Sequence, residues 1–185
     1  MTTYLFAILS IFLPGILQPV RPSLWFLFLI FLMTFLLPSL NFVFFRLTGT
    51  IKDLQMVNRT DRIMPFIFVT ILYVVVTYMF YHNFQIPNVL KLMEIITAMI
   101  VVSTAVTFFY KVSVHSVAIC GLVGILLPLN NVSEGVLLYP TIVVLMLAGV
   151  VMSSRLRLNA HVLREVLYGA AIGLLIGIGG VLLLF

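Results

Sequence analysis

The stretch SRLRLNAHVLREVLYG, residues 154–169, holds a histidine four residues before a glutamate and six after an arginine, between two strongly apolar runs. On a helix beginning near residue 160, His161 and Glu165 share one face, a turn apart. Glu165 can then accept a hydrogen bond from one imidazole nitrogen, fix the tautomer and stabilise charge on the ring while the other nitrogen acts. That arrangement makes His161 a candidate nucleophile. Asn159 is the predicted N-cap of the same helix. Free N–H groups at a helix start, with the guanidinium of Arg155 nearby, suit a phosphate.

Two further clusters carry compatible chemistry. YKVSVHS, residues 110–116, offers Lys111, Ser113 and His115 at alternate positions. An extended backbone would turn all three to one side, so that an ammonium, a hydroxyl and an imidazole converge on a small polar ligand. NRTDRIMP, residues 58–65, contributes Arg59 and Arg62, spaced to share a helical face just before Pro65 opens the next span. Together the clusters describe an anion pocket with a nucleophile, His161, and a second histidine, His115, able to act as general acid. A charge near lipid costs roughly 2.5 to 3.5 kcal/mol at a bilayer centre, so a set of this size needs an offsetting role.

Membrane helices must position these groups. The 185 residues are 63% hydrophobic and 8% charged, and the mean hydropathy of +1.29 lies far outside the range of soluble domains. The apolar runs exceed the roughly 20 residues that a helix needs to cross about 30 Å of hydrocarbon, and they lack the alternation of barrel strands. The expected fold class is an all-α integral membrane protein, a six- to seven-span helical bundle forming a single transmembrane domain over residues 1–185. Apolar segments fall at about 3–19, 24–46, 64–82, 89–109, 115–130, 137–153 and 162–185. Pro14, Gly15, Pro19 and Pro22 interrupt the first, which reads as a re-entrant or half-length element if only six full spans form. The N-terminal stretch has no basic region or small-residue cleavage site and is expected to be retained structure.

If the segments alternate across the membrane, the loops around 46–63, 110–115 and 153–164 share one face. That face carries Arg46, Lys52, Arg59, Arg62, Lys111, Arg155, Arg157 and Arg164, against Arg21 and Lys91 opposite. A bias toward basic cytoplasmic loops accounts for cations there. It does not account for two histidines, a serine and a carboxylate beside them. The remaining polar groups have plainer readings: His82 lies in an aromatic interfacial belt, YMFYHNF, and Glu94 is offset by Lys91. The glycines of GAAIGLLIGIGG serve helix packing. Cys120 is the single cysteine, so no intrachain disulfide or thiolate cluster forms. A transporter wants broken or polar helices at mid-membrane depth, which only Pro38, Asn41, Pro128 and Pro140 hint at. A haem site needs facing histidines without arginine neighbours, and three histidines in the chain are too few for a persuasive metal site.

These residues resemble a known family. SRLRLNAHVLREVLYG is similar to the third signature of the type 2 phosphatidic acid phosphatase superfamily, SRxxxxxHxxxD followed by an apolar helix with an early glycine. Ser154, Arg155 and His161 match by position, Glu165 replaces the aspartate, and Gly169 fits the helix glycine. The second signature, PSGH, resembles VSVH, where Ser113 and His115 match while Val112 and Val114 stand in place of proline and glycine. The first, KxxxxxxRP, is approximated by NRTDRIMP. The resemblance covers about residues 59–169 and implies a divergent bacterial-type member seated in the cell membrane, the bacterial inner membrane. It implies a metal-independent phosphoric monoester or diphosphate hydrolase that needs no cofactor. The substrate would be a lipid phosphate or polyprenyl diphosphate, cleaved through a phosphohistidine. His161 would be the nucleophile, Glu165 its orienting partner and His115 the general acid. Arg155, Ser113, Lys111, Arg62 and Arg59 would hold the phosphate. The implied partners are the phosphorylated lipid and the bilayer, with no nucleic acid. The alternatives are a catalytically degraded relative and a small membrane transporter that binds a phosphorylated lipid.

Overall fold

Among the described residues the apolar runs become one short helix and six long spans. The computed structural model describes residues 1–18, 24–49, 60–84 and 86–185. Helix α1 (Thr2–Phe12) is followed by a 3₁₀ turn over Pro14–Leu17. The first long crossing, Leu24–Leu47, consists of α2 (Leu24–Phe31), a wide π turn (Leu32–Leu36) and α3 (Leu37–Leu47). Helix α4 (Thr60–Met79) runs into a second π turn, Phe80–Phe84, and α5 (Pro87–Thr107), α6 (Val114–Val132), α7 (Leu138–Arg157) and α8 (Leu163–Leu184) follow. Among the described residues six helices are long and apolar enough to cross a membrane. The chain is an all-α, multi-pass membrane protein.

The first apolar segment is the half-length element. At 11 residues α1 reaches about 16 Å, half the hydrocarbon thickness. Leu13 leaves helical geometry and Pro14 opens the 3₁₀ turn. Leu5, Phe6 and Leu9 are fully buried, and Phe6 meets Phe26 of α2 edge to face at 6.0 Å. A short helix is tolerated here because its apolar side is covered by protein.

The π turn in the first crossing has a visible cause. Pro38 has no N–H to give the carbonyl of Thr34, four residues earlier, and the helix widens just before it. The Tyr73 hydroxyl of α4 donates to that freed Thr34 carbonyl at 2.9 Å, and the Thr2 hydroxyl of α1 lies 3.1 Å from Tyr73 Oη. A proline defect thereby becomes a three-element contact. Elsewhere α4 and α5 are joined by hydroxyl pairs, Thr70 with Thr104 at 2.8 Å and Thr77 with Thr97 at 2.7 Å. Polar bridges of this kind hold helices in lipid, where apolar surface alone gives no net driving force for association.

The tightest seam runs between α6 and α8. Gly169, Gly173 and Gly177 recur every four residues and therefore share a face of α8. A methyl added at Gly169 would stand 2.6 Å from the Ser113 carbonyl oxygen, and one at Gly177 would stand 2.8 Å from that of Gly121. Gly173 lies equally close to the backbone of Val117. The glycines of α8 are thus packing residues that let two backbones touch, and one contiguous core extends from Leu5 to Val181.

Candidate active site

The ends of α7 and α8 differ from the pattern that the sequence leads one to expect. Asn159 is not an N-cap. It adopts left-handed geometry at φ 51° just after α7, with its N–H bonded to the Leu156 carbonyl at 3.0 Å and the Ala160 N–H bonded to the Arg155 carbonyl at 3.2 Å. That pair of bonds closes α7 as a Schellman turn, for which asparagine is a suitable αL residue. Helix α8 then starts at Leu163 with Val162 as its cap. His161 consequently precedes the helix, while Glu165 sits in its first turn, where the helix dipole favours a carboxylate. The spacing of four still brings them together: His161 Nδ1 and Glu165 Oε2 are 2.6 Å apart. An ionised carboxylate can only accept, so Nδ1 carries the proton and the lone pair lies on Nε2.

The connection between α5 and α6 is laid against this turn. The Ser113 N–H donates to the Glu165 carbonyl at 3.1 Å, and Lys111 Nζ donates to the Ala160 carbonyl at 3.1 Å while lying 3.8 Å from Glu165 Oε2. The expected convergence of Lys111, Ser113 and His115 on one ligand does not occur. Lys111 turns to the back of the histidine turn and pairs with the carboxylate. Ser113 is fully buried and caps α6, its Oγ accepting from the Ser116 hydroxyl at 2.9 Å and from the Ser116 N–H at 3.4 Å. Helix α6 begins directly after Ser113, so the extended geometry that would align the three side chains ends there. Gly169 clears the space that this capped turn occupies.

His115 lies in the first turn of α6 and is exposed at the mouth of the bundle. Arg155, His161 and Arg62 all act on it electrostatically, which brings α4, α6, α7 and the α7–α8 turn to one locus. Arg62 is itself buried, 7% exposed, within reach of the charge of Glu165. It belongs to a helix that starts at Thr60, so Pro65 lies inside α4 and does not open it. Arg59 lies outside the described residues.

Two electrostatic features define what this locus can do. Burial lowers the His161 pKa from the ordinary 6.5; the Glu165 hydrogen bond opposes that shift, and the charges of Arg62 and Lys111 add to it. The ring is therefore neutral at neutral pH, as a nucleophile requires. Secondly, Arg155 Nε is buried without an acceptor. A buried donor left unpaired costs roughly 1–3 kcal/mol, and beside His115 and Arg62 an anion's oxygen would satisfy it. Among the described residues the local charge agrees, with Arg62, Lys111 and Arg155 on the cationic side and the carboxylate of Glu165 on the other. Among the described residues no group of three potential metal ligands converges.

Comparison with known proteins returns nothing: no family model, no curated protein and no solved structure matches this chain.

Proposed function

We propose that the chain is a membrane phosphohydrolase of the type 2 phosphatidic acid phosphatase kind, seated in the cell membrane and acting on a lipid phosphate or polyprenyl diphosphate. The observation that carries this reading is the meeting of the His161–Glu165 pair with His115, Arg62 and an Arg155 Nε that has no protein acceptor. A carboxylate-oriented, neutral imidazole beside Arg62 and His115, with Arg155 next to that second histidine, suits attack on a phosphoryl group.

In the proposed reaction, His161 Nε2 attacks phosphorus. A P–N bond forms as the P–O bond to the lipid or diphosphate leaving group breaks, and His115, having taken a proton from the bound phosphate monoanion, passes it to the departing oxygen. Glu165 holds Nδ1–H throughout and offsets the positive charge that grows on the ring. Arg155 and Arg62 hold the equatorial phosphate oxygens as charge spreads over them. A water molecule, deprotonated by His115 in its basic form, then attacks phosphorus, releasing inorganic phosphate and restoring neutral His161. Lys111 and Ser113 act one step removed, by bracing the turn and capping α6.

The test is phosphate release from phosphatidate and polyprenyl diphosphate by purified protein in EDTA, with acid-labile phosphoenzyme trapped at His161. Turnover that persists in His161→Ala would overturn the mechanism. A second reading, a degraded relative that binds phosphorylated lipid without cleaving it, draws on Val114. This branched residue stands where the second signature has glycine, beside His115 at the mouth of the pocket. Binding without release in the same assay would favour it.

A further inference from the structure

A half-open cavity of about 230 Å³ lies beneath the candidate site, bordered by the first long crossing, α4, α5, α6 and the start of α1. Its walls continue those of the site. On α4, Phe66 and Val69 follow Arg62 by four and seven residues and so descend the same helix face. On α6, Val114 directly precedes His115, and Val117 lies one turn deeper.

Several hydroxyls border the cavity, and each already has a partner. Ser103 donates to the Met99 carbonyl at 2.6 Å, and Thr34 to the Ile30 carbonyl at 2.7 Å. Thr104 pairs with Thr70 at 2.8 Å, and Tyr73 donates to the Thr34 carbonyl at 2.9 Å. With the hydroxyls engaged, the cavity offers a ligand mostly methyl, methylene and ring surface, although Met1 brings the chain's α-amino group to the same wall. A largely apolar cavity of this kind accepts hydrocarbon.

The depth of the cavity is also defined. Tyr73 lies 11 residues below Arg62 on α4, about 16 Å along the axis and near the middle of the hydrocarbon layer. Ile96 lies 11 residues before Thr107, the last residue of the antiparallel α5, and so lines the cavity at the same level. There the Thr2–Tyr73–Thr34 hydrogen bonds cross from α1 through α4 to the first crossing and close the floor.

We propose that this cavity is the chain subsite of the enzyme. One hydrocarbon chain of the substrate runs down α4 from a phosphate held at Arg62 and Arg155 and stops at the Tyr73 bar, so the protein selects substrates by chain length. The inference rests on the phosphatase reading of the site above it.

Alkyl phosphates separate the two. Wild-type protein should hydrolyse dodecyl phosphate with a higher kcat/KM than butyl phosphate. Val69→Phe and the milder Ala118→Leu, which fill the cavity, should lower that ratio about ten-fold, mainly through KM for the long substrate. Tyr73→Ala should move the optimum toward longer chains. A ratio unchanged in both filling variants, with each variant retaining its thermal transition, overturns the subsite. If no alkyl phosphate is hydrolysed, the phosphatase reading fails, and calorimetric binding of the same two ligands decides the cavity. Binding that strengthens with chain length in wild type and loses that dependence in Ala118→Leu supports the subsite; binding indifferent to chain length overturns it.

Discussion

The two ends of the helical bundle hold similar residue types to opposite effect. At one end, His161 is buried against a carboxylate, its turn is tied to the α5–α6 connection by Lys111 and by the Ser113–Glu165 backbone bond, and Arg62 of α4 faces it while Arg155 of α7 acts on the neighbouring His115. At the other end, His82 is exposed and meets the Tyr78 ring edge to face at 6.1 Å, while Lys91 lies over the Phe185 ring at 4.8 Å. These cationic and aromatic contacts suit a membrane interface and need no further partner. The difference teaches that cross-tied loops give His161 a carboxylate partner and cationic neighbours that His82 lacks. A place near a helix end does not confer them.

That contrast can be broken from either side. The largest effect belongs to His161→Ala, expected to lower phosphate release by at least about 10³-fold and to abolish phosphoenzyme trapping. Arg155→Ala should reduce kcat by roughly 10²-fold, with partial recovery in Arg155→Lys, because one donor to the transition-state charge is lost. Gly169→Ala would press a methyl against the Ser113 carbonyl, destabilising the protein by about 1–3 kcal/mol and lowering its thermal transition together with activity.

A smaller effect sharpens the role of Lys111. Burial, together with Arg62 and Lys111, holds the His161 pKa below 6.5, and activity needs the neutral ring, so the acid limb of the kcat/KM profile should lie below pH 6.5. Glu165, Lys111, Arg62 and His115 are the charged or titratable groups that face the ring. Removing the ammonium in Lys111→Met lets His161 protonate more readily and should move that limb to higher pH, while Lys111→Arg should leave it in place. A purely structural role would lower the plateau without moving the limb. The smallest effect is that of His82→Gln, which should leave turnover within about two-fold of wild type because rim substitutions away from the reacting centre remove no transition-state contact.

The sequence was most informative where the physics is local. The six long crossings are visible as apolar runs, since a backbone in hydrocarbon must satisfy its hydrogen bonds within the helix. The half-length α1 was legible in Pro14 and Gly15, and the four-residue glycine period foretold a close helix seam. The His161–Glu165 contact is also legible, although the local pattern puts the helix start near residue 160 and α8 begins at Leu163. The reason is specific. Asn159 has two local uses, as an N-cap and as an αL residue, and the carbonyls at the end of α7 claimed it for the second. The spacing of Lys111, Ser113 and His115 aligns their side chains only on an extended backbone, and α6 begins at Val114, which turns them apart.

By itself, then, the sequence determined an all-α membrane bundle, the half-length first element and the pairing of His161 with Glu165, all set by interactions within a few residues of chain. Only the tertiary structure decided that Arg62, from a helix a hundred residues upstream, reaches the same pocket, that Arg155 Nε lacks a protein acceptor and that Tyr73 closes a cavity below. Those outcomes depend on which helix faces meet and how closely. The glycines that allow α8 to touch α6 show how a missing methyl group can set that distance.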